Sequence, residues 1–592
     1  MSLVRRTRAR AVWAGQRISS KLYKHFILPF ESISVSESSL KMPVRVLRNV
    51  MVPMRDGVRL CSDIYMPKQD GKYPAILTRL PYGKSETYCA EPAKGRFWAA
   101  RGYAYVVQDV RGKYKSGGVW EPFVNEVNDG YDSIDWISKQ SWCNGRIGMV
   151  GISYYGYTAL AAAVSGHPAL LCAASCMTAT DIYGVWMYKG GAFCLGTLGC
   201  WFITEDDRKE QNHLLVDYWH LPLASLGEAA GLRGSLLNKC IEHPRRDDYW
   251  ARIDLNGSYG KIKIPIFHLG GWYDVFLKGT IDDWTGVRAH GEDRARGNQW
   301  LVVGPDDHES SPLETGRVGR LRFGGKPADQ ATETMARFFD HWLKGVDNGF
   351  EKSSRVKIFV IGDNVWRDET AWPPERMRPT DYYLHSGGEA CSLMGDGTLS
   401  TEAPKSEPSD TFLYDPADPV RQSLDEDLWY LAETLKDRDQ IERRPDVLVY
   451  TSDVLPTDLE ITGPILLRLF ASSTSEETDF AAKLVDVFQD GYAHMIQEGI
   501  LRIGSAQFKE SGKERSSDDM LEFDIDLTAT SYVIKAGHRM RLEICSSDFN
   551  RYDRNLNMPG EFGRQTSCNT AQQTVYHDSD RPSRIVIPVI PR

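Results

Sequence analysis

Three short stretches carry residue types suited to nucleophilic catalysis. In "GMVGISYYGYT" (148–158), Ser153 follows an apolar run and precedes a helical one. A serine hydroxyl is a weak nucleophile, so Ser153 needs a base within hydrogen-bond reach and a carboxylate that orients the base. The stretch "GGWYDVF" offers Asp274 just past the apolar run "IPIFHLG", and "PDDHES" offers His308 just past "QWLVVG". Serine, acid, histidine, each on a loop after a strand, is the chain order that accompanies a nucleophile on a sharp strand-to-helix turn. The chemistry open to such a set is acyl transfer from an ester or amide, with the Tyr154 N–H facing the developing oxyanion.

Other candidates fit less well. His268 lies inside an apolar strand and reads as a core residue, and His167 sits at a helix–proline boundary. Asp306 and Asp307 are two residues and one residue from His308, too close in sequence to reach the far nitrogen of its ring. The usual glycine spacing around a nucleophilic serine is also broken, since Tyr155 stands where the second glycine is expected and Gly156 follows it. Gly151 is expected where the helix crosses close to the strand end, with Gly156 able to serve the same purpose one position later.

These residues need a parallel sheet to position them. The runs "YPAILTRL" (73–80), "YAYVVQDV" (103–110) and "RIGMVGI" (146–152) alternate with helical stretches such as "NDGYDSIDWISKQ", the pattern of strands joined by crossover helices. The stretch "YTALAAAVSGHPALLCAASCM" from Tyr157 reads as a buried helix, with Cys172 and Cys176 one turn apart in the core; its Ser, Gly, His and Pro argue against a membrane span. Residues 178–255 mix aromatic and small residues without a clean strand and read as an inserted helical cap. The strand–helix pattern resumes at 261–270 and 298–304. From about 352 onward, short alternating segments beginning with "RVKIFVIG" and broken by Gly, Pro, Asp and Ser indicate a β-sandwich, with "RDETAWPPERMRP" as a joint. No fixed-period repeat points to a propeller or solenoid.

Composition narrows the partners. The chain has 592 residues, enough for two to four domains, with 42% hydrophobic and 26% charged residues and a net charge of -9. That balance gives no reason to expect nucleic acid and favours a small-molecule substrate. Eleven scattered cysteines without a CxxC pair suit reduced thiols of a cytoplasmic protein better than a disulfide framework or a zinc site, and no metal or cofactor is expected. The first 30 residues hold seven basic side chains and no acid, with Val12, Ile18, Leu22 and Phe26 on a helical stripe. They read as a docked arm or a basic tail, with mitochondrial targeting as a third reading. No integral membrane segment is expected, and the composition leaves room for a homo-oligomer.

The motifs "GISYYG", "GGWYDVF", "RLPYGK" and "DVRGKYKSGG" closely resemble those of the cocaine esterase, α-amino acid ester hydrolase and X-prolyl dipeptidyl aminopeptidase family of serine hydrolases. The resemblance runs from about residue 46 to the C-terminus. It implies an α/β protein in three parts after a basic extension (1–45): an α/β-hydrolase domain (46–177 and 256–348), an inserted helical cap (178–255), and a C-terminal jelly-roll-like β-sandwich (349–592). It matches Ser153 to the nucleophile, Asp274 to the acid, His308 to the base and Tyr82 to an oxyanion-hole tyrosine; without it, Tyr82 reads as an exposed loop aromatic. Some members of the family act next to a free amino group, which Glu205, Asp206 and Asp207 of the cap could recognise, although that run reads better as a solvated helix start. One departure stands beside the base, where Asp306 and Asp307 follow Pro305 and the family places a tryptophan. The activity implied is hydrolysis of a carboxylic ester or amide through an acyl-enzyme. The alternatives are an acyltransferase or lactone-forming cyclase using the same intermediate, or a non-catalytic binding protein on the same fold.

Overall fold

In the computed structural model of the chain, the described residues are 43–86, 88–207, 217–231, 236–308, 316–323, 329–421, 438–504 and 519–592. Residues 1–42, nearly all of the basic extension, lie outside them. Ten strands form one sheet: β1 (Val44–Pro53), β2 (Arg59–Pro67), β3 (Tyr73–Leu80), β4 (Ala104–Asp109), β5 (Cys143–Ile152), β6 (Leu170–Cys176), β7 (Ile266–Gly271), β8 (Gln299–Gly304), β9 (Val356–Val360) and β10 (Val365–Glu369). Their order is β1-β2-β4-β3-β5-β6-β7-β8-β9-β10. Strands β3 to β9 run parallel, while β2 runs against β4 and β10 against β9. The central strands show no polar alternation because both faces are covered, and β4, β7 and β8 are buried along their whole length.

Helices α1 (Glu91–Ala100), α2 (Glu126–Ser138) and α3 (Ser153–Ser165) follow β3, β4 and β5. The alanines of α3 let it lie close to its neighbours: a Cβ added to Gly130 of α2 would stand 3.1 Å from the Ala162 Cβ. Here the sequence reading is corrected, since the apolar run from Tyr157 is not one helix. Gly166 caps α3 with a left-handed φ of 71°, Pro168 follows, and the chain then enters strand β6, which carries Cys172 and Cys176. A strand buried on both faces has the composition of a buried helix, and only the Gly-His-Pro break separates the two here.

Between β6 and β7 the chain forms short helical pieces, including a wide turn at Ile182–Met187, α4 (Cys200–Glu205) and α5 (Leu236–Glu242), beside a two-stranded ribbon of Tyr188–Lys189 with Ala192–Phe193. Helix α6 (Leu277–His290) follows β7, and α7 (Asp329–Phe339) precedes β9. The first two strands after residue 349 extend the ten-stranded sheet, not the sandwich to which the sequence reading assigned them. A five-residue apolar strand such as "VKIFV" suits either setting, and its parallel pairing with β8 decides the matter.

Eleven strands make up the C-terminal β-rich part: β11 (Arg378–His385), β12 (Thr398–Ser400), β13 (Asp410–Tyr414), β14 (Leu448–Ser452), β15 (Leu459–Ser473), β16 (Thr478–Val487), β17 (Ala493–Ile503), β18 (Leu521–Ile534), β19 (Arg539–Cys545), β20 (Ala571–Tyr576) and β21 (Arg584–Ile590). The long β15 pairs with β18 on one side and with β21 and β20 in turn on the other, so the sheet folds around it. Ile461, Leu467, Leu469, Leu484, Leu542, Ile544 and Ile585 fill the enclosed face. The sandwich joins the hydrolase sheet directly. The Ile361 N–H donates to the Ser531 carbonyl at 2.9 Å, and the Val533 N–H donates to the Ile361 carbonyl at 2.9 Å.

The β5–α3 turn is one of the tightest approaches among the described residues. A Cβ at Gly151 would lie 1.9 Å from the Tyr155 carbonyl oxygen, and one at Gly156 would lie 2.9 Å from the Cys176 carbonyl oxygen. Backbone atoms cannot swing aside as side-chain ends do. Gly151→Ala is therefore expected to destabilise the protein by about 3 kcal/mol or more. Gly297→Ala, whose methyl would meet only the Asp293 carbonyl at 3.9 Å, should leave the denaturant midpoint near that of the parent, and parallel unfolding curves check both.

Candidate active site

Strand β5 ends at Ile152 and helix α3 begins at the next residue, so Ser153 makes the whole turn, with a φ of 56°. Its N–H donates to the Met177 carbonyl at 3.2 Å, and its hydroxyl projects toward His308. The elbow rests on a buried charge cluster. The Tyr154 hydroxyl donates to Glu126 Oε1 at 2.8 Å and accepts from the Phe123 N–H at 2.8 Å, and Glu126 Oε2 takes Arg79 Nη1 at 2.7 Å. Burial pushes the Glu126 carboxyl up, and Arg79 opposes that shift. Tyr154 is the second residue of α3, so no carbonyl within the helix accepts its N–H.

Asp274 and His308, the expected acid and base, come from neighbouring strand ends that are stitched together. The Trp272 N–H donates to the Gly304 carbonyl at 2.9 Å and the Tyr273 N–H to the Asp306 carbonyl at 3.1 Å, which sets the turn after β7 against the loop after β8. Asp274 Oδ1 accepts the Phe276 N–H at 2.7 Å, leaving Oδ2 2.6 Å from His308 Nδ1. His308 Nε2 stands 3.0 Å from Ser153 Oγ. With a carboxylate at Nδ1, the ring proton belongs there, and Nε2 is left to accept from the serine. The Asp274 and His308 side chains are 0% and 5% exposed, which shields the pair from water.

Tyr82 is half-buried, not an exposed loop aromatic. Its hydroxyl accepts the Trp201 indole N–H at 3.1 Å. Desolvation pushes the phenol well above its ordinary value, so it remains a donor. Asp306 and Asp307 are both buried, and the Asp306 carbonyl holds the acid turn. The aromatic wall beside the base comes instead from Phe276, whose ring meets that of His308 edge-on with centroids 5.1 Å apart and itself packs on Trp186 at 4.2 Å.

The acidic run of the cap overturns its sequence reading. Glu205 closes α4 at its C-terminal end instead of opening a helix, and it is buried with Oε2 2.6 Å from Lys113 Nζ. Asp206 Oδ1 accepts the Leu236 N–H at 2.9 Å at the start of α5. Trp186, Trp201, Phe276 and Lys113 were not singled out from the sequence as site residues, because their roles arise from contacts between segments far apart in the chain. Among the described residues, no group of three His, Cys, Asp or Glu side chains is placed to hold a metal ion, and no helix is long and apolar enough to cross a membrane.

Residues 56–310 match the family described as X-Pro dipeptidyl-peptidase (S15 family), and residues 348–586 match the X-Pro dipeptidyl-peptidase C-terminal non-catalytic domain. The chain is 36% identical over 581 residues to the cocaine esterase of Rhodococcus sp. (strain MB1 Bresler), covering 92% of this chain and 99% of that protein. Among solved structures, an α-amino acid ester hydrolase is 28% identical with a TM-score of 0.81, covering 94% of this chain and 97% of that one. An aminopeptidase from a marine sediment archaeon, Thaumarchaeota archaeon, is 26% identical with a TM-score of 0.81, covering 94% and 98%.

The sandwich reaches this site through Gln497, whose Nε2 donates to the Trp272 carbonyl at 2.7 Å and the Ala529 carbonyl at 2.8 Å. Gln497→Leu deprives two buried carbonyls of their donor and should cost about 1–3 kcal/mol. It should also slow labelling of Ser153 by a fluorophosphonate, through a looser Asp274 turn. Unchanged labelling beside a lowered unfolding midpoint would mean that the stitching between the β7 and β8 loops holds the acid alone.

Proposed function

Because the chain belongs to the X-Pro dipeptidyl-peptidase (S15) family, we propose that it hydrolyses a carboxylic ester or amide through a covalent acyl-enzyme on Ser153. The observation that carries this reading is the continuous relay from Asp274 Oδ2 to His308 Nδ1 at 2.6 Å and from His308 Nε2 to Ser153 Oγ at 3.0 Å. His308 Nε2 takes the serine proton as Oγ attacks the substrate carbonyl carbon. The tetrahedral oxyanion is held between the Tyr154 N–H and the Tyr82 O–H, two donors fixed before the charge develops. The imidazolium, stabilised by Asp274, then protonates the leaving alcohol or amine. A water activated by the same base attacks the acyl-enzyme and releases the acid. The α/β-hydrolase segments 46–177 and 256–348 carry this chemistry, 178–255 cap it, and the part from 349 onward supports it, with β9 and β10 extending the hydrolase sheet.

The walls of the site favour a small substrate with an apolar acyl group. Phe276, Trp186 and Trp201 stand around the base and the Tyr82 hydroxyl, with the Trp186 and Trp201 ring centroids 6.4 Å apart. Glu205, the carboxylate that could have recognised a substrate ammonium, already holds the Lys113 ammonium. Together with the name of the cocaine esterase relative, this favours simple esters over aminoacyl and X-Pro substrates.

Hydrolysis of p-nitrophenyl acyl esters, aminoacyl esters and X-Pro amides tests the substrate class, with aromatic and aliphatic acyl esters expected to lead. Ser153→Ala and Asp274→Asn should each lower kcat by about 10⁴-fold, and Tyr82→Phe by about 10²–10³-fold. Near-normal turnover by Ser153→Ala would end the assignment.

A further inference from the structure

Outside the relay itself, one side chain is placed to govern the oxyanion side of the site from behind. Lys113 sits in the loop after β4 ("DVRGKYKSGG") and is fully buried. The loop is rigid: the Lys113 N–H donates to the Val110 carbonyl at 3.1 Å, and its own carbonyl accepts the Ser116 N–H at 2.9 Å. A Cβ at neighbouring Gly112 would stand 2.1 Å from the Trp120 nitrogen. From this base the ammonium reaches into the cap. Nζ donates to Glu205 Oε2 at 2.6 Å, to the Asp207 carbonyl at 2.7 Å and to the Glu205 carbonyl at 3.3 Å. A lysine has three N–H bonds, and these contacts use them at the C-terminal end of α4, where a cation also suits the exposed carbonyls.

Helix α4 carries Trp201 four residues before Glu205, so both side chains lie on one face, toward the hydrolase sheet. Trp201 touches the proposed donor of Tyr82 and the side chain of Tyr154, whose N–H is the other proposed donor. Its indole N–H occupies a lone pair of the Tyr82 oxygen, leaving the phenolic proton for the reaction centre, and its ring stacks on Tyr154 with centroids 5.7 Å apart. The Lys113 ammonium also lies 5.1 Å from the centre of the Trp120 ring, which packs against the same tyrosine with centroids 5.5 Å apart. The Glu205 charge is near enough to Tyr82 to help raise its phenol, after desolvation. A carboxylate there without a counter-charge would oppose an oxyanion at Tyr82.

We propose that Lys113 is a positioning residue for the oxyanion hole: it pins the end of the cap helix so that Trp201 fixes the Tyr82 hydroxyl, and it cancels the Glu205 charge beside that hydroxyl. The inference rests on the hydrolase reading above and concerns the transition state alone, since Lys113 does not reach the relay. A role confined to holding the cap would appear in stability or in KM. A role at the oxyanion appears in kcat and depends on Tyr82.

A double-mutant cycle on the full chain with a p-nitrophenyl ester separates these. Lys113→Met is expected to lower kcat about tenfold with KM within about twofold, and Trp201→Phe, which also reshapes a wall of the substrate site, to lower kcat about tenfold. In a Tyr82→Phe background, each should cost less than about twofold, because the donor they position is gone. Adding Glu205→Gln to Lys113→Met should recover about threefold or more of the lost kcat by removing the stranded charge. If Lys113→Met does not fold, the Lys113→Met/Glu205→Gln pair, which buries no lone charge, takes its place in the cycle. Losses that multiply with Tyr82→Phe, or that fall on KM alone, overturn the proposal. Parent enzyme that neither turns over nor takes a fluorophosphonate on Ser153 overturns the hydrolase reading instead, so the two failures are distinguishable.

Discussion

Ser153 holds a left-handed backbone conformation, φ 56°, that an L-residue adopts at a cost of about 1–2 kcal/mol. The surrounding contacts leave it no alternative. With the Tyr155 carbonyl occupying the space above Gly151 and the Cys176 carbonyl that above Gly156, α3 can follow β5 only by turning within one residue. That turn lifts the hydroxyl clear of the sheet and places the Tyr154 N–H beside it. Everything else at the site is arranged relative to this point. The Met177 carbonyl receives the serine N–H, and the Glu126–Arg79 cluster holds the Tyr154 ring from below.

The proposed acid and base, Asp274 and His308, must meet a hydroxyl whose position is already fixed, which makes the placement of their loops a problem of register. Strands β7 and β8 pair in parallel from Ile266 with Gln299 to Gly271 with Gly304, and the two loops continue the pairing past the strand ends. Close approach is again the device, since a Cβ at Gly271 would lie 2.2 Å from the Asp306 carbonyl oxygen. The sandwich closes the arrangement from outside. Gln497 holds the Trp272 carbonyl, and the Tyr273 hydroxyl meets His494 Nε2 at 3.2 Å. Burial pushes the His494 imidazole down to about 3, so it stays neutral and places no charge beside Tyr273.

Legibility in the sequence followed the range of each interaction. The strands before Ser153, Asp274 and His308 are local apolar runs, and each of these residues comes within a few positions of its strand end, so their order could be read directly. The glycines at 151 and 156 were legible for the same reason, although the backbone oxygens that require them were not. Where composition is ambiguous the reading failed: β6 looked helical because buried strands and buried helices draw on the same residues, and β9 looked like sandwich because its pairing partner is more than 50 positions away. The acidic run at Glu205 read as solvated because its counter-ion, Lys113, lies 92 positions earlier. The half-buried setting of Tyr82 is likewise a tertiary fact, made by Trp201 from 119 positions away.

This difference in range separates the two proposed oxyanion donors. The Tyr154 amide is built by the elbow and exists wherever β5 and α3 fold. The Tyr82 hydroxyl comes from the loop after β3 and takes its direction from an indole on the cap, which in turn is held by a lysine from the loop after β4. Displacing α4 by the length of one hydrogen bond would leave the relay and the amide in place and remove the second donor's support. On the proposed mechanism, seating of the cap is thereby coupled to stabilisation of developing charge, a term that acts on the transition state and not on the bound substrate. A site built this way can tolerate a cap varied in shape for different acyl groups, provided that the face bearing Trp201 and Glu205 keeps its contact with Tyr82 and Lys113.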